Sequence, residues 1–168
     1  PRLLKILAEY GYTKKNSPVI IQSFEVQNLK DLRQQTGVRL VQLIDGDGVD
    51  AQGKVTLVAP FDKPYDFAVR KDPRTFPDLL TPKGLAEIKT YADGIGPWKP
   101  YLRSAKQVLG SDGKPQDLNG DGKITDADRV LLAPTEVVKN AHAAGLFVHA
   151  FTFRIEKMTT AGARMAFY

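Results

Sequence analysis

The residues best suited to chemistry lie in one twelve-residue stretch, Asp117-Leu-Asn-Gly-Asp-Gly-Lys-Ile-Thr-Asp-Ala-Asp128. Oxygen donors fall at positions one, three, five, nine and twelve, with a glycine at position six and an apolar residue at position eight. A cation the size of calcium takes about six to eight oxygen ligands, and magnesium suits this donor series less well. The spacing therefore predicts a structural Ca2+, held by the Lys123 carbonyl and by five side chains: Asp117, Asn119, Asp121, Thr125 and Asp128.

The loop follows the EF-hand-type pattern with one change at its last ligand. Most such loops end in the longer glutamate, so the terminal Asp128 more closely resembles the calcium-binding repeat of dockerin modules. The resemblance covers only residues 117–128, because the second loop copy and the helix pair of a dockerin are missing from the sequence. The alternative interpretation is a polar turn that binds nothing.

Other groups that could do chemistry are weaker candidates. Asp45, Asp47 and Asp50 lack a complete ligand series, so their spacing favours a glycine-aspartate turn. The two histidines, His142 and His149, are interpreted as surface or packing residues, since one lies mid-helix and the other lies in an apolar strand run. The chain has no cysteine, which excludes disulfides, thiolate metal sites and a cysteine nucleophile. No residue of this chain is assigned a catalytic role.

Composition is that of an ordinary globular domain, with 168 residues, 42% hydrophobic and 26% charged. The formal charge of +5 is compatible with an anionic ligand, but it is scattered. No basic run interleaved with aromatics is present, so we expect no nucleic-acid partner. No apolar run approaches the roughly 18 residues needed to span a bilayer, and we expect no membrane span. The sequence starts at Pro1 and ends abruptly after Met165, from which we expect a larger domain with both ends missing.

Amphipathic helical segments alternate with short apolar runs that read as buried parallel strands. Strand, helix and strand joined by short links form a βαβ unit, whose parallel pairing requires a crossover of this length. We therefore predict one α/β domain over residues 1–168, formed by about four of the eight strand-helix units of a TIM (β/α)8 barrel. The predicted strands are 19–24, 38–44, 91–95 and 146–151. The predicted helices are 2–10, 28–37, one through Ile88 and one from Thr135 to Gly145. Asn28 and Thr81 are the predicted caps of the second and third helices, and Gly11 and Gly37 the predicted ends of the first and second.

Two long insertions interrupt this regularity. Residues 45–80 are rich in proline and polar residues, which predicts a surface lid or loop. Residues 97–133 form the second insertion and carry the calcium loop at 117–128. In a barrel, the working side chains lie where strands emerge at their C-terminal ends, which directs attention to Thr152 and its neighbours after the last strand.

Three sequence blocks in order resemble the later strands of bacterial glycerophosphodiester phosphodiesterases, most closely the secreted or periplasmic branch. The blocks are Val19 to Phe24, Tyr91 to Pro97 and Pro134 to Arg154. Together they cover nearly all of the chain outside the insertions. The resemblance implies the C-terminal half of a TIM barrel that hydrolyses glycerophosphodiesters to glycerol 3-phosphate and an alcohol, with Ca2+ or Mg2+ at its active site.

In that family, two histidines from early strands act as general acid and base, and nearby carboxylates hold the metal. The motifs that carry these groups would precede Pro1. Glu87-Ile-Lys89 imitates one of them, but it lies on a predicted helix and in the wrong order. The resemblance thus implies that the acid-base residues and the ligands of the catalytic metal lie outside this chain, which supplies a substrate-binding wall. The implied wall residues are Gln22, Ser23, Phe24, Trp98, Phe151 and Arg154.

The resemblance also implies partners and a location. The partner is a small-molecule glycerophosphodiester, and the expected location is the periplasm or the extracellular space. Four strands leave exposed parallel edges, so we expect the rest of the chain's own barrel, or a complementing chain, to complete the fold. Alone, this chain is expected to be inactive. The alternative function is a non-catalytic secreted module that uses its calcium loop for structure or partner binding.

Overall fold

The computed structural model describes residues 2–153 as an α/β fold. The strands are β1 (Ile20–Ser23), β2 (Arg39–Ile44), β3 (Gly48–Val49), β4 (Val55–Thr56), β5 (Gly94–Pro97), β6 (Ala105–Gln107), β7 (Arg129–Leu131) and β8 (Phe147–Val148). The helices are α1 (Arg2–Glu9), α2 (Val26–Arg33), α3 (Tyr65–Arg70), α4 (Phe76–Leu79), α5 (Pro82–Lys89) and α6 (Val137–Ala143).

The main sheet has four parallel strands in the order β1-β2-β5-β8. Each strand lies beside the next main-sheet strand along the chain, with at least one helix between them. A doubly wound sheet would reverse its strand order at one point, and this sheet does not. The predicted α/β class with parallel strands is therefore confirmed, and the arrangement is compatible with a segment of a barrel.

One face of the sheet forms the core against the helices. Leu40 and Ile44 of β2 lie on this face. Both are fully buried, as are Leu29 of α2 and Leu85 of α5. The opposite face carries the alternate residues, because successive side chains of a strand point to opposite sides. Leu43 lies on that face over Gly96, where an added Cβ would come within 2.6 Å of the leucine Cδ2.

Several predicted ends of the elements are confirmed. Gly11 and Gly145 adopt left-handed φ angles of 74° and 73° just after α1 and α6, a conformation that glycine takes without strain. The Thr81 Oγ1 accepts a hydrogen bond from the Gly84 N–H, so Thr81 caps α5 as predicted. α6 begins at Val137, so Glu136 takes the N-cap position predicted for Thr135, but its side chain makes no capping hydrogen bond. The Thr135 Oγ1 instead accepts from the Val137 N–H at 3.4 Å.

Three predicted boundaries were wrong. α2 begins at Val26, because the Asn28 amide donates to the Ser23 Oγ instead of capping a helix. It ends at Arg33, well before Gly37. β5 begins at Gly94 and not at Tyr91, since the Tyr91 N–H still donates to the Ile88 carbonyl at the end of α5.

The insertion at residues 45–80 is more structured than the predicted loop. It contains the antiparallel hairpin β3–β4 and the helices α3 and α4. Phe67 of α3 and Phe76 of α4 are 4% and 3% exposed, so this insertion is packed into the core. The second insertion holds the antiparallel pair β6–β7. Within residues 2–153, no helix combines the length and apolarity needed to cross a bilayer.

Candidate functional site

Three phenylalanines meet where the parallel strands end. The rings of Phe24, after β1, and Phe151, after β8, lie edge to face with their centroids 6.2 Å apart. The Phe24 ring makes a second edge-to-face contact, at 6.0 Å, with Phe76 of α4. We call these three residues the aromatic cluster. Edge-to-face pairs at this spacing are favourable beyond their burial, and they fix the orientation of each ring.

Trp98 lies beside the cluster because strand pairing continues past the strand ends. Its N–H donates to the Ile44 carbonyl at 2.9 Å, while the next residue, Lys99, donates its N–H to the Phe151 carbonyl at 2.8 Å. The indole packs against Gly46, where any Cβ would collide with the ring. The backbone thus holds Trp98 and Phe151 side by side, as an isolated parallel bridge between the two residues also shows.

Gln42 anchors the end of β1 from within the core. This side chain is fully buried, and its Nε2 donates to the Phe24 carbonyl at 2.8 Å and to the Leu43 carbonyl at 3.0 Å. Its Oε1 accepts a hydrogen bond from the Tyr91 hydroxyl at 3.1 Å. Burial raises the pKa of Tyr91 above its usual range, so this hydroxyl stays protonated as a donor. Sequence reasoning missed Gln42, although a lone polar residue inside an apolar strand was a visible signal.

The six predicted wall residues do not all converge. Phe24, Phe151 and Trp98 are brought together as described. Gln22 is exposed in β1. The Ser23 Oγ accepts hydrogen bonds from the Glu25 N–H and the Asn28 amide, which gives it a role in joining β1 to α2. Arg154 lies outside the described residues.

A reciprocal pair of carboxylates ties the first insertion to the cluster. The two Glu25 carboxylate oxygens accept hydrogen bonds from the Tyr65 and Asp66 N–H groups at the start of α3, at 3.2 Å and 2.7 Å. In return, the Asp66 Oδ2 accepts from the Gln27 N–H in the first turn of α2, at 2.6 Å. Each helix start receives a negative group, which its orphan N–H groups and dipole favour. Glu25, next to Phe24, therefore acts as a structural cap here.

The other titratable groups considered as catalytic candidates lie elsewhere. Glu87 pairs with Lys30 at 3.0 Å and with Arg74 at 2.6 Å, while Lys89 donates to a backbone carbonyl. His142 and His149 are both exposed. Within residues 2–153, no group of three or more His, Cys, Asp or Glu side chains is arranged to hold a metal ion.

The predicted calcium loop is organised by its own side chains. The two Asp117 carboxylate oxygens each accept a 2.7 Å hydrogen bond, from the Gly120 and Gly122 N–H groups. Asp128, at 3% exposure, accepts from the Thr125 and Leu118 N–H groups at 2.8 Å and 2.9 Å. The backbone hydrogen bond from Thr125, more than any other cause, holds the pKa of Asp128 below its usual range.

The donor chemistry of this loop suits calcium. All predicted ligands are oxygens, and a carboxylate oxygen that accepts one N–H retains a lone pair for a cation. Gly120 and Gly122 take left-handed φ angles of 73° and 78°, which let the backbone turn tightly around the loop. Within residues 2–153, the carboxylates of the loop do not converge into a group of three that could hold a metal ion, so calcium binding stays a prediction.

Comparison with known proteins finds several curated relatives, among them two whose alignments cover about nine-tenths of this chain. The chain is 32% identical over 158 residues to "Glycerophosphodiester phosphodiesterase" of Haemophilus influenzae, an alignment that covers 90% of this chain and 35% of the relative. It is 25% identical over 162 residues to "Glycerophosphodiester phosphodiesterase GDPD6" of Arabidopsis thaliana, covering 92% of this chain and 33% of the relative. The chain thus spans about a third of the length of these curated relatives. No family model matches the chain.

Proposed function

We propose that this chain is part of a metal-dependent glycerophosphodiester phosphodiesterase, which hydrolyses its substrates to glycerol 3-phosphate and an alcohol. The observation that carries the proposal is similarity over nine-tenths of the chain to two proteins named for this activity. The proposed enzyme has a TIM barrel, to which this chain contributes the C-terminal half. The acid-base histidines and the ligands of the catalytic Ca2+ or Mg2+ precede the chain.

The sheet geometry supports this proposal. In barrel enzymes, active sites form at the C-terminal ends of the strands, and the aromatic cluster and Trp98 occupy that edge here. The half-buried Phe151 ring presents an apolar face that suits the carbon chain of a glycerol group and excludes water. The divalent metal, when bound, would stabilise negative charge on the phosphate oxygens. Among the described wall residues, Phe24 and Phe151 are the strongest candidates for substrate contact.

The decisive experiment uses the full-length parent protein and the isolated chain. Each is assayed for release of glycerol 3-phosphate from glycerophosphocholine, with Ca2+ or Mg2+ present. We expect activity from the parent only. An inert parent that retains its upstream histidines would refute the enzyme assignment, whereas activity of the isolated chain would refute the placement of the chemistry outside it.

Wall variants of the parent test the role of the aromatic cluster. Phe151→Ala should lower kcat/KM by about 5- to 30-fold, since losing one aromatic contact is worth roughly 1–2 kcal/mol. The matched control is Phe61→Ala, because Phe61 is 75% exposed in the first insertion and outside the cluster. Melting temperatures of both variants separate lost substrate contact from lost folding. Equal activity of Phe151→Ala and wild type would exclude a substrate contact there.

We also propose a structural Ca2+ in the loop at residues 117–128. At a Kd of about 0.1–1 mM, 10 mM CaCl2 would stabilise the fold by about 1.4–2.7 kcal/mol, which raises the Tm by roughly 3–10 °C. Asp121→Ala should abolish the rise, and Asp112→Ala, an exposed aspartate outside the loop, should retain it. An unchanged Tm under saturating calcium would leave only the polar-turn interpretation. Periplasmic or extracellular location is proposed with it, since millimolar calcium is needed to fill such a site.

A further inference from the structure

We infer that the first insertion forms a second binding site, for a primary amine carried on a short apolar chain. Two adjacent cavities of about 350 Å3 and 260 Å3 lie between the β3–β4 hairpin and α4. Lys54, Val55 and Pro77 line both cavities, so the two lie side by side, and we call them together the hairpin groove. Its combined size is that of a small-molecule site.

The first cavity of the groove is acidic. Two carboxylates, Asp50 and Asp62, and two hydroxyls, Thr56 and Thr75, line it against the single ammonium group of Lys54. Counting the charged side chains gives two negative and one positive, so this cavity favours a cation over an anion. The hydroxyls add oxygen acceptors for further N–H donors.

Asp62 is the group that lacks a partner. Its Oδ1 is closed to water and accepts no hydrogen bond. No residue within 2–153 donates a hydrogen bond or forms an ion pair to either oxygen of this carboxylate. Buried polar atoms without partners are rare, because leaving one unsatisfied is costly. A small rotation of the Asp62 side chain would present the carboxylate to an ammonium group in the first cavity, and an ammonium can donate three hydrogen bonds.

The second cavity is apolar. Its walls come from Val55, Pro100, Tyr101 and Leu132, and it contains no carboxylate. Ser104 also lines this cavity. It is 5% exposed, and its Oγ has no hydrogen-bond partner among the described residues. A hydrocarbon chain extending from the acidic cavity would fill this space and remove apolar surface from water.

The groove is distinct from the proposed catalytic edge. Val55 lines the groove, and its Cγ1 lies beside Gly46, the residue against which the Trp98 indole packs. Trp98 and the three members of the aromatic cluster line neither cavity. Pro77, which follows Phe76 in α4, lines both. Only groove residues would contact the amine, so its binding is independent of the proposed enzyme activity.

The test is a titration of the 168-residue chain with hexylamine, hexanol and hexanoate at matched concentrations, monitored by NMR of the Val55 and Leu132 methyl groups. Hexylamine should shift both methyls with a Kd in the millimolar range, as expected for about seven non-hydrogen atoms. Hexanol should bind at least about tenfold more weakly, because it lacks the charge-assisted hydrogen bond to Asp62. Hexanoate should bind least well, since the cavity is acidic.

Two variants move the affinity in opposite directions. Asp62→Asn should weaken hexylamine binding by about tenfold, whereas Lys54→Met should strengthen it by removing the one positive charge among the described groove residues. Hexanol affinity serves as the control for folding, because both variants should leave it nearly unchanged. Equal binding of all three probes would show a merely apolar pocket and overturn the proposal. Failure of hexylamine to shift the methyls at about 50 mM would also overturn it, since the groove would then hold water only.

Discussion

Replacement of Gln42 offers the sharpest test of how the candidate site is positioned. This buried side chain connects the end of β1, through the Phe24 carbonyl, to the Tyr91 hydroxyl behind the sheet. Gln42→Leu preserves size but leaves both groups without a partner. At about 1–3 kcal/mol for each unsatisfied buried group, partly offset by the gain from a buried leucine, we expect a loss of about 2–4 kcal/mol in the free energy of unfolding.

The same contact provides its own double-mutant cycle. Tyr91→Phe removes one partner and should cost about 1–2 kcal/mol, because the Gln42 Oε1 is then orphaned. In the double variant, neither end of that hydrogen bond remains, so the combined loss should be smaller than the sum of the single losses by about 1 kcal/mol or more.

Urea unfolding of the four proteins, followed by circular dichroism, measures the cycle. At roughly 2–4 °C per kcal/mol, Gln42→Leu should also lower the Tm by about 4–16 °C. Two results would refute the reasoning. Additivity within about 0.3 kcal/mol would mean that Gln42 and Tyr91 do not interact, and a loss below about 0.5 kcal/mol for Gln42→Leu would mean that the network does not anchor β1.

Three further outcomes follow from the described contacts. Burial raises the pKa of Tyr91, so the folded state favours the protonated phenol. The contribution of this phenol to the free energy of unfolding should be fully present below about pH 10 and should decrease as the pH rises further. Tyr91→Phe should make that decrease smaller in urea titrations at alkaline pH. Burial also raises the pKa of Tyr101, so part of the loss of stability at alkaline pH should remain in the Tyr91→Phe variant. Gly46→Ala should displace the indole of Trp98, the only tryptophan, and shift its fluorescence emission to longer wavelength. Asp93→Asn should lower the free energy of unfolding by about 1.5–3 kcal/mol in urea titrations, since it weakens charged hydrogen bonds that hold β5.

Local signals predicted the regular part of the fold well. The apolar run before Gln22 and the glycine stops at Gly11 and Gly145 each act within a few residues, so the sequence pattern alone indicates them. The Thr81 cap is equally local, because its partner Gly84 lies three residues away. The order of these signals indicated parallel strands in sequence, which the sheet confirms.

The parts that sequence reasoning missed depend on distant partners. Asn28 is a good helix cap by type, but the Ser23 hydroxyl competes for its side chain. Phe76 was assigned to a surface loop, and its burial depends on Phe24, more than fifty residues away. Gln42 has the same character, since its acceptor and donor partners come from three different elements or their ends. Such residues could be suspected from sequence, but their contacts require the tertiary structure.

Arg129 joins the two insertions and links the predicted calcium loop to the residues around Trp98. Arg129 follows Asp128 directly, and its guanidinium donates to the Asp50 carbonyl at 2.8 Å and to the Val49 carbonyl at 3.1 Å in the β3–β4 hairpin. That hairpin carries Val55, which faces the Gly46 position on which Trp98 rests. A cation that fixes the loop would therefore also restrain the hairpin and the indole, since the connection runs through one largely buried guanidinium and not through a flexible linker.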